Sequence, residues 1–242
     1  MLSKFTLSLP LSRVLLLLLG EHPSPIVASQ TLTLLGLVLS ASPSFNRKFE
    51  LVSGWSALKV ILPPAWDPSV HVAAFDLLLG RTFVSSNVQA ESSSKIICPY
   101  ILPAILTSLA HGLERVTAGA LLPPATPSHG VTSHGAVFSH ESYSVTSAME
   151  VLVEELIDLH SSISGFRQLF KSKSTTTILI DACQSFVVRL YEFPHARHKS
   201  ERLQDKVITL VTILAYDTSV ESLQKEQVCR FFFQVVMNTN VE

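Results

Sequence analysis

Charge is scarce in this sequence. Of its 242 residues, 15% are Asp, Glu, Lys or Arg, against about 25% in an ordinary globular domain. So few charges leave little surface that is content in water, and many element faces must be covered by another element or by a partner. Mean hydropathy is correspondingly high, at +0.37. Long apolar runs are nevertheless missing. Val14–Leu19 is preceded by Arg13 and closed by Gly20, and Leu32–Leu39 carries Thr33 and lies between Thr31 and Ser40. A membrane-spanning helix takes about 20 predominantly apolar residues, which neither run reaches. As a secretory signal the first run also reads poorly. Glu21-His22-Pro23 follows it where a small-residue cleavage site would stand.

Other absences narrow the function. The net charge is −1 and no long Lys/Arg run occurs, so the basic footprint that nucleic acid requires is lacking. Three cysteines, Cys98, Cys183 and Cys229, are far apart and odd in number. They read as reduced core thiols of a cytoplasmic protein, and the lack of an N-x-[ST] sequon agrees. No G-x-G-x-x-G, G-x-x-x-x-G-K-[ST] or G-x-S-x-G is present, and His140-Glu141 is followed by Ser144 where a zinc protease would have its second histidine. Asn-Gly and Asp-Gly hairpin turns and alternating strand patterns are also absent. The expectation is a non-enzymatic chain with no cofactor and no metal.

What is present is helical spacing. Met149, Leu152, Leu156 and Leu159 follow a 3-4-3 rhythm, with Glu150, Glu154 and Asp158 on the opposite side. Leu179, Cys183, Phe186 and Leu190 repeat it, as do Leu203, Val207, Leu210 and Leu214. Each stripe must bury against something. The carboxylates, including Glu155, read as a solvated face rather than as acid/base groups, which need a shared pocket. Punctuation separates the helices: Gly20 through Pro23 ends one, Ser24-Pro25 and Ser42-Pro43-Ser44 open two more, Gly54 interrupts, Pro63-Pro64 stops, and Asp67-Pro68 restarts.

Two stretches read as loops: Ser85–Lys95, rich in Ser, Asn and Gln, and Thr117–His140, rich in Gly, Pro, Ser and His. An internal echo joins the parts on either side of the second. Ser44-Phe45-x3-Phe49 and Ser164-Gly165-Phe166-x3-Phe170 each read as a short Phe-bearing helix after a long amphipathic one. Recurring units of this kind build solenoids. The expected architecture is all-α: an armadillo/HEAT-like right-handed helical solenoid of about 8–10 helices with one long mobile loop. Residues 1–116 and 141–242 would be the helical parts of one continuous solenoid and 117–140 the flexible segment, with further repeats expected beyond the chain.

A family resemblance follows from particular residues. Leu51–Gly80, LVSGWSALKVILPPAWDPSVHVAAFDLLLG, resembles an armadillo junction. Gly54 precedes a helix lined by Leu58 and Leu62, Asp67-Pro68 opens the next, and Ala73-Ala74 with Leu77 and Leu78 fill it. The wider block Phe45–Arg81, with Trp55, Pro63 and Trp66, is similar to the α-solenoid region upstream of the BEACH module in large beige/BEACH proteins, particularly fungal ones. Met149–Val187 is loosely similar to that region too. The resemblance implies a scaffold in vesicle trafficking or autophagy, cytoplasmic or peripheral to endomembranes, working through protein partners. PH, BEACH and WD-repeat modules are not recognisable in the chain, so it would correspond to a fragment of such a protein.

Two clusters stand out as a partner surface. Phe231, Phe232 and Phe233 point around most of a helix circumference, so at least one leaves the core stripe. A further helical unit could cover it, or a partner or membrane contact. Arg197, His198 and Lys199 lie in a basic interhelical turn, Pro194–Lys199, which reads either as a solvated turn or as a contact for acidic lipid or protein. Loop histidines His129, His134 and His140 have no Cys or Asp beside them and read as solvated. Ser172–Thr177 offers hydroxyls to cap the helix that follows.

Overall fold

A capping side chain followed by proline opens three helices in the computed structural model of the chain. Proline fits the first helical position because its missing N–H would be unpaired there anyway. Ser24 Oγ accepts from Val27 N–H at 3.5 Å, Ser42 Oγ from Phe45 N–H at 3.3 Å, and Asp67 Oδ1 from Ser69 N–H at 2.9 Å. The structure describes residues 11–21, 24–81, 96–121, 134–170, 172–192, 194–216 and 222–239. Among them every regular element is helical and no strand occurs.

The α-helices are α1 (Leu11–Gly20), α2 (Pro25–Ala41), α3 (Pro43–Leu51), α4 (Gly54–Ile61), α5 (Pro68–Leu79), α6 (Leu102–Leu121), α7 (His134–Ser162), α8 (Ser164–Leu169), α9 (Lys173–Glu192), α10 (Pro194–Lys199), α11 (Glu201–Tyr216) and α12 (Ser222–Thr239). Short 3-10 turns at Pro63–Ala65 and Pro99–Ile101 join them. Twelve α-helices among the described residues exceed the eight to ten expected. The surplus includes six-residue pieces such as α10, which is helix where a turn was expected. Six residues are too few to display an apolar period.

Two compact units divide the chain, Met1–Ser108 and Leu109–Glu242. In the first, α2 lies along α5, and α1 lies against both α2 and α4. Ala28, Leu32 and Leu35 of α2 and Val70, Ala74 and Leu77 of α5 are buried to within 1%. Each such leucine contributes about 1.5–3 kcal/mol relative to exposure. Ser69 Oγ donates to Pro25 C=O at 3.4 Å across 44 residues of sequence. Both residues stand at the start of their helices, so α2 and α5 run in the same direction. Helix α5 ends at Gly80, whose φ of 69° is open to glycine without strain. Beyond it, Ile97 and Cys98 N–H both donate to Leu78 C=O, at 3.0 and 3.1 Å.

The α3–α4 corner turns on ring packing. Ser53 adopts the left-handed conformation, with φ 55°, and Gly54 follows as the first residue of α4. A Cβ on Gly54 would stand 2.5 Å from the buried Phe49 ring. Phe49 stacks on Phe45 at 6.1 Å and meets Trp55 edge-on at 4.9 Å. The expected echo recurs in the second unit, where Phe166 and Phe170 of the α8 segment are fully buried and meet edge-on at 5.3 Å.

In that second unit α7 lies along α11, and α9 lies along α12 and also touches α10 and α11. The three stripes read from sequence are the buried faces: Met149 through Leu159 on α7, Leu179 through Leu190 on α9, Leu203 through Leu214 on α11. Lys206 Nζ reaches Glu154 at 3.0 Å across 52 residues. One turn earlier on both helices, Glu150 and Arg202 line a common groove. Positions rise together along the two helices, so α7 and α11 are parallel too.

The expected loop at 117–140 is corrected at both ends. Helix α6 continues to Leu121, with Val116 and Thr117 buried and the Thr117 hydroxyl donating to Glu114 C=O at 2.8 Å. Helix α7 already begins at His134. Elongating a formed helix is far easier than nucleating one. The stripe from Met149 therefore carries helix backward through a segment with no proline after Pro127. Residues 122–133 lie outside the described residues, as does the whole of the other expected loop, Ser85–Lys95. The boundary between the two compact units falls at Ser108, inside α6.

Candidate interaction surface

The three consecutive phenylalanines of α12 separate by burial. Phe231 is 1% exposed, Phe232 is half-buried against it with ring centroids 5.3 Å apart, and Phe233 is 65% exposed. A helix turns by about 100° per residue, so one ring joins Val228 in the core and the third faces outward. With Gln184 of α9 and with Glu226, Cys229 and Arg230, Phe233 lines an open, mainly apolar groove of about 520 Å³. Arg230 and Glu226 are paired at 2.7 Å on the rim. Both are largely exposed, so the pair orients side chains and adds well under 1 kcal/mol.

The basic residues of α10 belong to a different place. Arg197 covers the Tyr191 ring at 5.0 Å, a cation–π contact that ties α10 back to α9. His198 and Lys199 are exposed and line a polar groove of about 350 Å³ with Thr146, Ser147 and Glu150 of α7 and Glu201 and Arg202 of α11. This groove carries both signs of charge, so it does not form the uniformly basic patch suggested by the sequence. Neither groove is lined by residues of both expected clusters. A third hollow of about 210 Å³ lies between α6 and α9, with Leu113, Glu114 and Phe186 among its walls.

Sequence reading missed the Arg197–Tyr191 contact and the Glu154–Lys206 pair. The first spans a Pro194 break and the second crosses helices, so no local spacing announces either. Other expected groups fall out of any site. Of the carboxylates expected on a solvated face, Glu154 and Asp158 are exposed and Glu150 and Glu155 half-buried. His129 lies outside the described residues, and the side chains of His134 and His140 in α7 do as well. Among the described residues no cluster of three potential metal ligands occurs. The Thr176 hydroxyl, within α9, donates backward to Phe170 C=O at 2.7 Å and stitches α8 to α9.

The thiols differ in environment. Burial pushes Cys183 up to about 12, and burial also pushes Cys98 up to about 12, opposed in part by hydrogen bonds from the Tyr100 and Ile101 backbone. Cys229 is exposed in the groove beside Phe233. No helix among the described residues is long and apolar enough to cross a membrane.

No protein-family model matches this chain, and no curated protein or solved structure matches it either.

Proposed function

We propose that this chain is a non-catalytic helical-repeat scaffold segment whose exposed grooves hold a protein partner. The observation that carries the reading is the same-direction pairing of helices far apart in sequence, α2 with α5 and α7 with α11, tied across 44 and 52 residues. Up-and-down bundles pair sequence neighbours in opposite directions. Repeats of about 40–47 residues stack equivalent helices in parallel. Contacts within the first unit support the same reading. In that reading α1 and α4, which touch, are one matched pair, α2 and α5 the other, and the short α3 leads into the second set as the first helix of an armadillo unit would.

The partner face is assigned to the α9–α12 groove around Phe233, where an exposed aromatic can seat an amphipathic helix. A peptide-display library selected against the whole chain tests this. Selected helix-forming peptides should lose at least about tenfold in affinity on Phe233→Glu. Peptides that bind wild type and variant equally contradict the assignment. The narrower attribution to a BEACH-type protein in vesicle trafficking or autophagy rests on the Phe45–Arg81 resemblance alone. It predicts in-frame PH, BEACH and WD-repeat coding sequence downstream of Glu242, and a transcript without it overturns that attribution.

A further inference from the structure

Helices α1 and α2 carry a second apolar face besides the one they bury. Val14, Leu17 and Leu18 on α1 and Ile26, Leu34 and Leu37 on α2 are 40–65% exposed, and the two helices pack on each other. Together these side chains open on the order of 500 Å² of apolar surface, as much as the largest patch on a typical monomer.

The face is poor in groups that need water, Gln30 being the exposed amide between Ile26 and Leu34 that a covering surface must meet. Helix α2 contains no charged residue. Its hydroxyls at Ser29, Thr31, Thr33 and Ser40 all donate to carbonyls of the same helix, at 2.7–3.0 Å, so none needs water to be satisfied.

Charge selects the occupant. Arg13 and Glu21 are exposed and stand either side of Leu17 at four-residue steps, on one ridge of the helix. Glu21 N–H donates to Leu17 C=O at 3.0 Å, so the ridge continues past Gly20. If two such ridges lie antiparallel with Leu17 on Leu17, each Arg13 faces the Glu21 of the other copy. A parallel pairing would set like charges together, and a bilayer would have to accommodate Glu21 against its apolar layer. We infer that this face is the interface of a two-fold symmetric dimer, in which α1 pairs antiparallel with α1 of a second copy of the chain. An isologous contact of this kind closes on itself and builds no fibre. The inference uses one helix pair and does not rest on the scaffold reading.

Sedimentation equilibrium of the full chain from about 1 to 100 µM tests it. Wild type forms a dimer. Arg13→Glu and Glu21→Arg each weaken it at least about tenfold, and the double exchange returns it to within about threefold of wild type. Leu17→Glu, which sets two carboxylates face to face at the axis, leaves monomer with an unchanged helical circular dichroism spectrum. A wild type that stays monomeric at about 100 µM overturns the inference. So does a dimer indifferent to Leu17→Glu, or a double exchange no better than the single ones. A monomer that floats with phosphatidylcholine vesicles overturns it in favour of a lipid surface.

Discussion

Gly54→Ala separates two physical effects of opposite sign. Alanine is the better helix former by up to about 1 kcal/mol, so propensity alone predicts a gain. The new methyl, however, would stand 2.5–2.6 Å from three atoms of the Phe49 ring. That ring is fully buried and held between Phe45 and Trp55, so it cannot swing away as the end of a flexible chain could. Overpacking of this kind costs about 1–3 kcal/mol. Gly54 is also the first residue of its helix, where the propensity gain is smallest. The expected net loss is about 1–2 kcal/mol, or a Tm lower by about 2–8 °C for a chain of this size. Gly20→Ala is the control: its Cβ would meet only Ile61 Cδ1, at an ordinary 3.9 Å, and it should be neutral or slightly stabilising. Pairing Gly54→Ala with Phe49→Leu should cost less than the sum of the two alone, because the smaller side chain makes room. Urea and thermal unfolding followed at 222 nm measure the four variants beside wild type. A Gly54→Ala protein as stable as wild type would refute the packing described for the α3–α4 corner.

Neighbouring aromatics should behave oppositely. Phe231→Ala costs about 3–5 kcal/mol in urea unfolding, whereas Phe233→Ala, on the exposed side of the same turn, stays within about 0.5 kcal/mol of wild type. Asp67→Ala removes the acceptor for Ser69 N–H and should lower stability by about 1 kcal/mol, with Asp67→Ser recovering most of it. In the native state a thiol reagent at neutral pH should titrate Cys229 alone, with Cys98 and Cys183 reacting only on unfolding. The half-buried Cys98 and the buried Cys183 hold their protons to about 12 in the folded chain, above their ordinary 9.0. Their contribution is therefore intact below pH 9 and is lost as pH rises from 9 toward 12, because the unfolded chain ionises first. Cys183→Ala should show a shallower fall in urea midpoint across that window than wild type; an equal fall would contradict the assignment.

Most of the fold was legible where chemistry is local. The caps at Ser24, Ser42 and Asp67 need only adjacent residues, and the stripes on α7, α9 and α11 need only a repeated spacing. The Phe45/Phe49 and Phe166/Phe170 pairs were visible for the same reason. The N-terminal run was only half legible. Leu15 and Leu19 are core while Leu17 and Leu18 are exposed, and six consecutive apolar residues carry no period to separate them. Helix at 134–140 was hidden because His, Gly and Ser give no stripe, although extension from a stable neighbour supplies the driving force. The grooves were the least legible. Glu150, Lys199 and Arg202 meet because two helices run parallel, and a pairing direction set by tertiary packing leaves no mark in either helix alone.

The direction of α2 relative to α5 is the most direct test. Cys229 is exposed, Cys98 half-buried and Cys183 buried, so a Cys98→Ser, Cys229→Ser background accepts spin labels at chosen sites while the buried Cys183 stays unlabelled. Gln30 lies near the start of α2, Ser40 near its end and Val72 near the start of α5, and all three are exposed. Helix spacing of 8–10 Å and a rise of 1.5 Å per residue give backbone separations of about 10 Å for Gln30–Val72 and about 19 Å for Ser40–Val72. Electron paramagnetic resonance distances in that order are expected, and the reverse order would show an antiparallel pair and remove the basis for a stacked repeat.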